Sequence, residues 1–159
     1  MNRARPMMWL RLIGAGVVVS LAAALVAAAP AAPNTATHLI VRSSEFGMTV
    51  FGPNGKVVYV FGADRGATSH CYGVCATAWP PVLTGSAPVA GEGVKVSLLG
   101  TTKRTDGTLQ VTYAGHPLYY YSADPVGKIM CQNVTMHGGL WLIVKPNGQP
   151  NMAKAKMHM

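Results

Sequence analysis

Past residue 32 the apolar positions come in short runs broken by turn residues, and no stretch carries a convincing helical period. H-L-I-V-R at 38–42 has the length of a buried strand, and residues 43–45 turn the chain toward a second strand at 47–51. Pro53-Asn54-Gly55 is a strong turn signal, because proline presets the entry and glycine supplies positive φ. Residues 56–61 then return, so 48–61 predicts a β-hairpin. A long loop, 62–77, holds two cysteines. Trp79-Pro80-Pro81-Val82 follows it, and prolines that cannot donate ladder hydrogen bonds place this piece at an edge or off the sheet. Trp79 is expected to plug the core beneath the loop.

Residues 84–93 are small, polar and rich in glycine and proline, which predicts a flexible connection. Beyond it, 94–99 and 101–104 suit one or two strands. Asp106-Gly107 is favoured hairpin-turn chemistry, and 108–113 returns. Ala114-Gly115 turns again, 117–121 is a further strand, and 140–144 closes the pattern before Pro146-Asn147-Gly148.

The second half repeats the first. G-K-V-V-Y-V-F-G-A-D at 55–64 and G-H-P-L-Y-Y-Y-S-A-D at 115–124 superimpose at an offset of 60 residues, and a tryptophan follows each, Trp79 and Trp141. Within each copy the aromatic residues, Tyr59 with Phe61 and Tyr119 with Tyr121, lie two apart and so share one strand face. Asp64 and Asp124 come three residues later, where a short carboxylate accepts nearby backbone N–H groups and fixes a turn. The fold class predicted is all-β, a small sandwich or partly closed barrel. Its two pseudo-repeats, at about 38–83 and 94–148, share one aromatic core, because either half alone has too few strands to bury its face.

The doubled Y-x-[FWY]-x-x-D pattern resembles a bacterial family of secreted repeats described as predicted lipoproteins with that motif. C-Y-G-V-C-A-T-A-W-P-P-V at 71–82, K-R-T-D-G-T-L-Q-V-T-Y-A-G-H-P-L-Y at 103–119 and W-L-I-V-K-P-N-G at 141–148 fit it in the right order, so the likeness covers about 39–148. The family has no established activity to carry over. The family's C-x-x-x-C element implies a Cys71–Cys75 bridge. Two features depart from it. No lipobox cysteine follows the N-terminal segment, and Cys131 stands where the second copy commonly has glycine.

The first 32 residues are set apart from the fold. Arg3, Arg5 and Arg11 precede an apolar and small-residue run, and Ala29-Pro30-Ala31 offers a small-residue cleavage site. This is the pattern of a cleaved secretory signal, against the alternative of an uncleaved anchor, the one way this chain would meet a membrane. Export implies a secreted or cell-envelope location. Ten basic residues then face five acidic ones, a net charge of about +5 scattered along the chain. That suits a mildly basic soluble surface, with envelope polymers or an envelope protein as partners. A nucleic-acid partner is excluded by the lack of a basic-aromatic cluster.

An oxidising compartment makes disulfides expected. The residues themselves leave three single pairings open among Cys71, Cys75 and Cys131. Cys131 is the odd thiol, either a small buried hydrophobe or, functionally, the site of an intermolecular disulfide or a soft metal ligand. Met130, Met136 and His137 lie near it, and the 149–159 tail, expected to be disordered, adds Met152, Met157, His158 and Met159. Thioether, thiolate and imidazole together form a ligand set for copper(I). No other cofactor is expected. Asp64 and Asp124 as a hydrolytic carboxylate pair is the weaker reading, because one turn-fixing role explains both copies. The function expected is therefore a non-enzymatic binding or structural module of the envelope. Soft-metal or redox-linked chemistry and hydrolysis are the alternatives.

Overall fold

The computed structural model describes residues 35–154; the signal segment expected at 1–32 lies outside them. The chain runs through β1 (His38–Ser44), β2 (Gly47–Phe51), β3 (Tyr59–Phe61), a single helical turn α1 (Val74–Ala78), β4 (Leu83–Thr84) and β5 (Val89–Ala90). A 3-10 turn at Val96–Leu98 leads into β6 (Leu99–Lys103), β7 (Leu109–Tyr113), β8 (His116–Pro117), β9 (Val134–Met136) and β10 (Gly139–Ile143). The strands lie in three small sheets, and no closed barrel forms. The fold is all-β and sandwich-like. Among the described residues no helix is long and apolar enough to cross a membrane.

Four antiparallel segments organise the rest. β10 pairs with β3, matching Ile143 to Tyr59 and Trp141 to Phe61. β3 meets the second motif segment at Tyr59–Tyr119, and that segment meets Pro81. The two tyrosine segments are thus inner, and each outer segment carries a tryptophan. Period-2 alternation splits the apolar residues between the two faces. Val58, Val60, Leu118 and Leu142 enter one cluster with Leu39, Val50, Val111 and Tyr113. Tyr59, Phe61, Tyr119, Trp141 and Ile143 enter a second with Trp79 and both bridged cysteines. Segments buried on both faces read as continuous apolar runs, which is why V-V-Y-V-F stands out in the sequence.

Each half also carries a hairpin, β1–β2 and β6–β7, on the first cluster. The hairpin expected over 48–61 forms only its first rungs. Gly52 N–H donates to Lys56 and Val58 N–H to Val50, after which Tyr59 leaves to pair with Tyr119. The strand length needed for a longer hairpin goes instead to the other half of the chain.

Three further expectations need correction. The 62–77 loop ends in a helical turn that the sequence pattern did not show. The supposedly flexible 84–93 connection is pinned, since β4 pairs with β7 and β5 lies parallel to β1. The start of the 149–159 tail is bound to the domain. Asn151 is buried, and the Gln132 amide donates to the Asn151 and Ala153 carbonyls.

Candidate functional site

The two aspartates do more than hold their own turns. Asp64 Oδ1 accepts the His70 N–H at 2.7 Å, and Asp124 Oδ1 accepts the Met130 N–H at 2.9 Å. Six residues separate donor and acceptor in both, so each carboxylate closes its own exit loop as the sequence implied. The other oxygen crosses to the opposite repeat. Tyr59 donates to Asp124 Oδ2 at 2.7 Å, and Tyr119 donates to Asp64 Oδ2 at 2.8 Å. Between them the two tyrosine backbones exchange a pair of hydrogen bonds, at 2.8 and 2.9 Å. Reciprocity of this kind is an approximate two-fold relation within one chain.

The aromatic side chains obey the same relation. Trp79 and Trp141 stack at 3.9 Å with planes 4° apart. Phe61 stacks outside Trp141 at 4.1 Å, and Tyr121 lies outside Trp79 at 4.6 Å. Tyr59 and Tyr119 stand edge-on to Trp79 and Trp141 at 5.1 and 5.3 Å. Such offset and edge geometries add to the area these rings bury. All eight motif residues thus occupy one continuous assembly.

Burial raises both carboxyl groups above the ordinary aspartate range, against the lowering effect of their hydrogen bonds. Burial also drives the Tyr59 and Tyr119 phenols well above the ordinary tyrosine range. Each carboxylate oxygen accepts one hydrogen bond from within the fold, and the two groups share no partner.

The ends of the assembly differ, and here the sequence reading missed residues. Beside Asp64 lies a buried arginine. Arg104 donates to the Ser69 hydroxyl at 2.9 Å, to Gln110 Oε1 at 2.7 Å and to the Cys71 carbonyl at 2.8 Å. Its Nε has no hydrogen-bond acceptor; Asp106 stands 3.7 Å away, an ion pair too long for a hydrogen bond. The Tyr72 ring covers the guanidinium at 4.3 Å. Tyr119 spends its one proton on Asp64, so Ser69 donates to the Tyr119 oxygen. Arginine, serine, tyrosine and aspartate form one polar chain through the core. A polar Gln110 between the apolar Leu109 and Val111 was the signal available in the sequence, since an inward polar residue needs a partner.

At the other end the 60-residue offset puts Ile129 in the place of Ser69 and Cys131 in the place of Cys71. Cys71 is bridged to Cys75, leaving Cys131 the free, half-buried thiol, packed with Tyr121 and Met136 at the rim of the second cluster. Burial raises this thiol above its usual range, against a hydrogen bond with Tyr121. Met130 and Met152 are exposed, and so is His137, which has a left-handed backbone. The Met152 carbonyl accepts from the Asn133 amide at 3.2 Å, which brings the root of the tail to the Cys131 loop. Met157, His158 and Met159 lie outside the described residues. Among those described, no three His, Cys, Asp or Glu side chains group as a metal site. The indole N–H of Trp141 donates to the Met136 carbonyl, whereas the buried N–H of Trp79 has no acceptor.

No curated protein and no solved structure matches this chain. A family model described as a secreted repeat of unknown function matches it twice, over residues 41–83 and 100–145, and leaves out the β4–β5 connection between the halves. These two matches cover more than half of the chain, which therefore belongs to that family of secreted repeats.

Proposed function

We propose that this protein is an exported, non-enzymatic binding or structural module of the cell envelope. One observation carries the reading: each core aspartate oxygen and both terminal nitrogens of the core arginine already have partners inside the fold. Each aspartate oxygen has a donor, and the arginine is locked to Ser69, Gln110 and a backbone carbonyl. A general acid or nucleophile needs a face open to substrate. Family membership supports a place outside the cytoplasm, and a mildly basic chain suits anionic envelope polymers.

Co-sedimentation of the purified chain with isolated cell-wall polymer tests this, with a panel of glycoside and ester substrates run beside it. Retention on the polymer without turnover is expected. Turnover that disappears in Asp64→Asn or Asp124→Asn while the thermal midpoint holds would replace this reading with a hydrolase.

A second reading, soft-metal binding, draws on the placement of Met152 beside Asn133, two residues from Cys131. That placement ties the start of the Met/His tail to the loop that carries the free thiol, and the softness of sulfur ligands favours copper(I). Competition against a chromogenic copper(I) chelator checks it. Equal affinity in the full chain and in a chain ending at residue 151 with Cys131→Ser would rule it out.

A further inference from the structure

We infer that the face each repeat buries against the other is a recognition surface for the complementary repeat, and that the fitting partner is a second copy of this chain. Nothing in this depends on the envelope-module reading.

The halves exchange segments rather than pack side by side. β3, from the first repeat, is flanked on both edges by the second, by β10 on one side and by Tyr119 on the other. The Tyr119 segment is likewise flanked by Tyr59 and Pro81 of the first repeat. The hairpins are completed in the same crossed fashion. Val50 N–H donates to Val144 at 3.0 Å, and Val111 N–H donates to Val82 at 2.8 Å.

Side chains follow the backbone across. Phe61 stacks on the tryptophan of the other repeat, as does Tyr121. Each aspartate accepts a hydrogen bond from a phenol of the other repeat. Separated, each half would expose its tryptophan face and an unpaired sheet edge, and each carboxylate would lose a donor. The contacts between repeats are therefore the core of the domain itself.

No covalent bond other than the backbone ties the halves. The one disulfide spans four residues inside the first repeat. Gly85, Ser86, Ala87 and Pro88 link the halves outside any strand. Every inter-repeat contact can form between copies as well as within one, so the connector selects pairing within the chain by effective concentration alone.

The test keeps the full chain and carries Cys131→Ser, so that no intermolecular disulfide enters. A protease site is inserted between Ser86 and Ala87, the protein is folded, and the site is then cut. Native mass spectrometry is expected to show both fragments in one 1:1 particle with the near-ultraviolet circular dichroism of uncut protein. Equal amounts of cut protein in unlabelled and nitrogen-15 forms are next unfolded together and refolded. Four fragment pairings in equal amounts are expected, two of them mixed. Cutting is done after folding, so failure to fold does not confuse the first result. The inference is overturned if the fragments part on cutting, if either fragment alone keeps the tryptophan signal, or if the refolded mixture holds no mixed pairs.

Discussion

Among single residues, the tyrosine–aspartate pairs carry the most specific consequence. A buried carboxylate that loses a donor keeps its desolvation cost without the compensating bond, at about 1–3 kcal/mol. Tyr59→Phe strands an oxygen of Asp124, which is only 2% exposed. Tyr119→Phe strands one of Asp64 and also frees Ser69 from the chain that leads to Arg104. Urea titration of Tyr59→Phe, Asp124→Asn and the double variant should therefore show coupling, with the double variant losing less than the sum of the two. Additive losses would mean that the hydrogen bond contributes nothing of its own. The sequence made the turn-fixing half of this arrangement legible, since Asp64 and Asp124 do cap the His70 and Met130 amides. The crossed half was hidden, because a sequence offset shows that two copies match and not that each is completed by the other. Arg104 was hidden for a related reason: its burial depends on Ser69 and Cys71, 35 and 33 residues away.

Strand positions, turns and the tryptophan plugs could be read from the elements in sequence, because period-2 patterning and turn chemistry are local. Asp106 caps Thr108 and Gly107 takes positive φ as that chemistry requires, and Ala114-Gly115 turns with both residues left-handed. Edge partners are set by distant residues, so the hairpin at 48–61 and the free connector at 84–93 were misjudged. β10 shows how tight the crossed pairing is. A Cβ on Gly139 would stand 2.5 Å from the Phe61 ring and 2.8 Å from the Ala63 backbone nitrogen. A backbone neighbour cannot swing aside, so Gly139→Ala should push β10 off β3 and loosen the Phe61–Trp141 stack. The expected cost is about 1–3 kcal/mol, measured by thermal melting, together with a weaker near-ultraviolet tryptophan band. An unchanged melt would mean that the β3–β10 register has more room than this geometry gives it.

For the molecule as a whole, the shared core makes the two repeats one cooperative unit, and pH offers a way to see it. Tyr59 of the first repeat and Tyr119 and Tyr120 of the second all hold their phenol protons more tightly when folded, Tyr120 being pushed up to about 12 by burial. A group whose folded value is raised contributes stability fully below its unfolded value, about 10 for tyrosine, and loses that contribution as pH rises through the folded value. Stability should thus fall steeply above about pH 10. The raised aspartates act in the same direction at lower pH, so stability should already slip as pH climbs from about 4 through their folded values. Acid would then leave this core intact as far as these two carboxyls decide. The alkaline limb is the sharper test. Tyr72, lowered against burial by its hydrogen bond with Thr105, ionises first, and the later rise in tyrosinate absorbance near 295 nm should coincide with a single loss of the tryptophan circular dichroism, since burial holds the protons of Tyr59, Tyr119 and Tyr120. Two separate steps in the circular dichroism would mean instead that the repeats unfold one at a time. The crossed tyrosine–aspartate bonds would then be too weak to bind the halves into one unit.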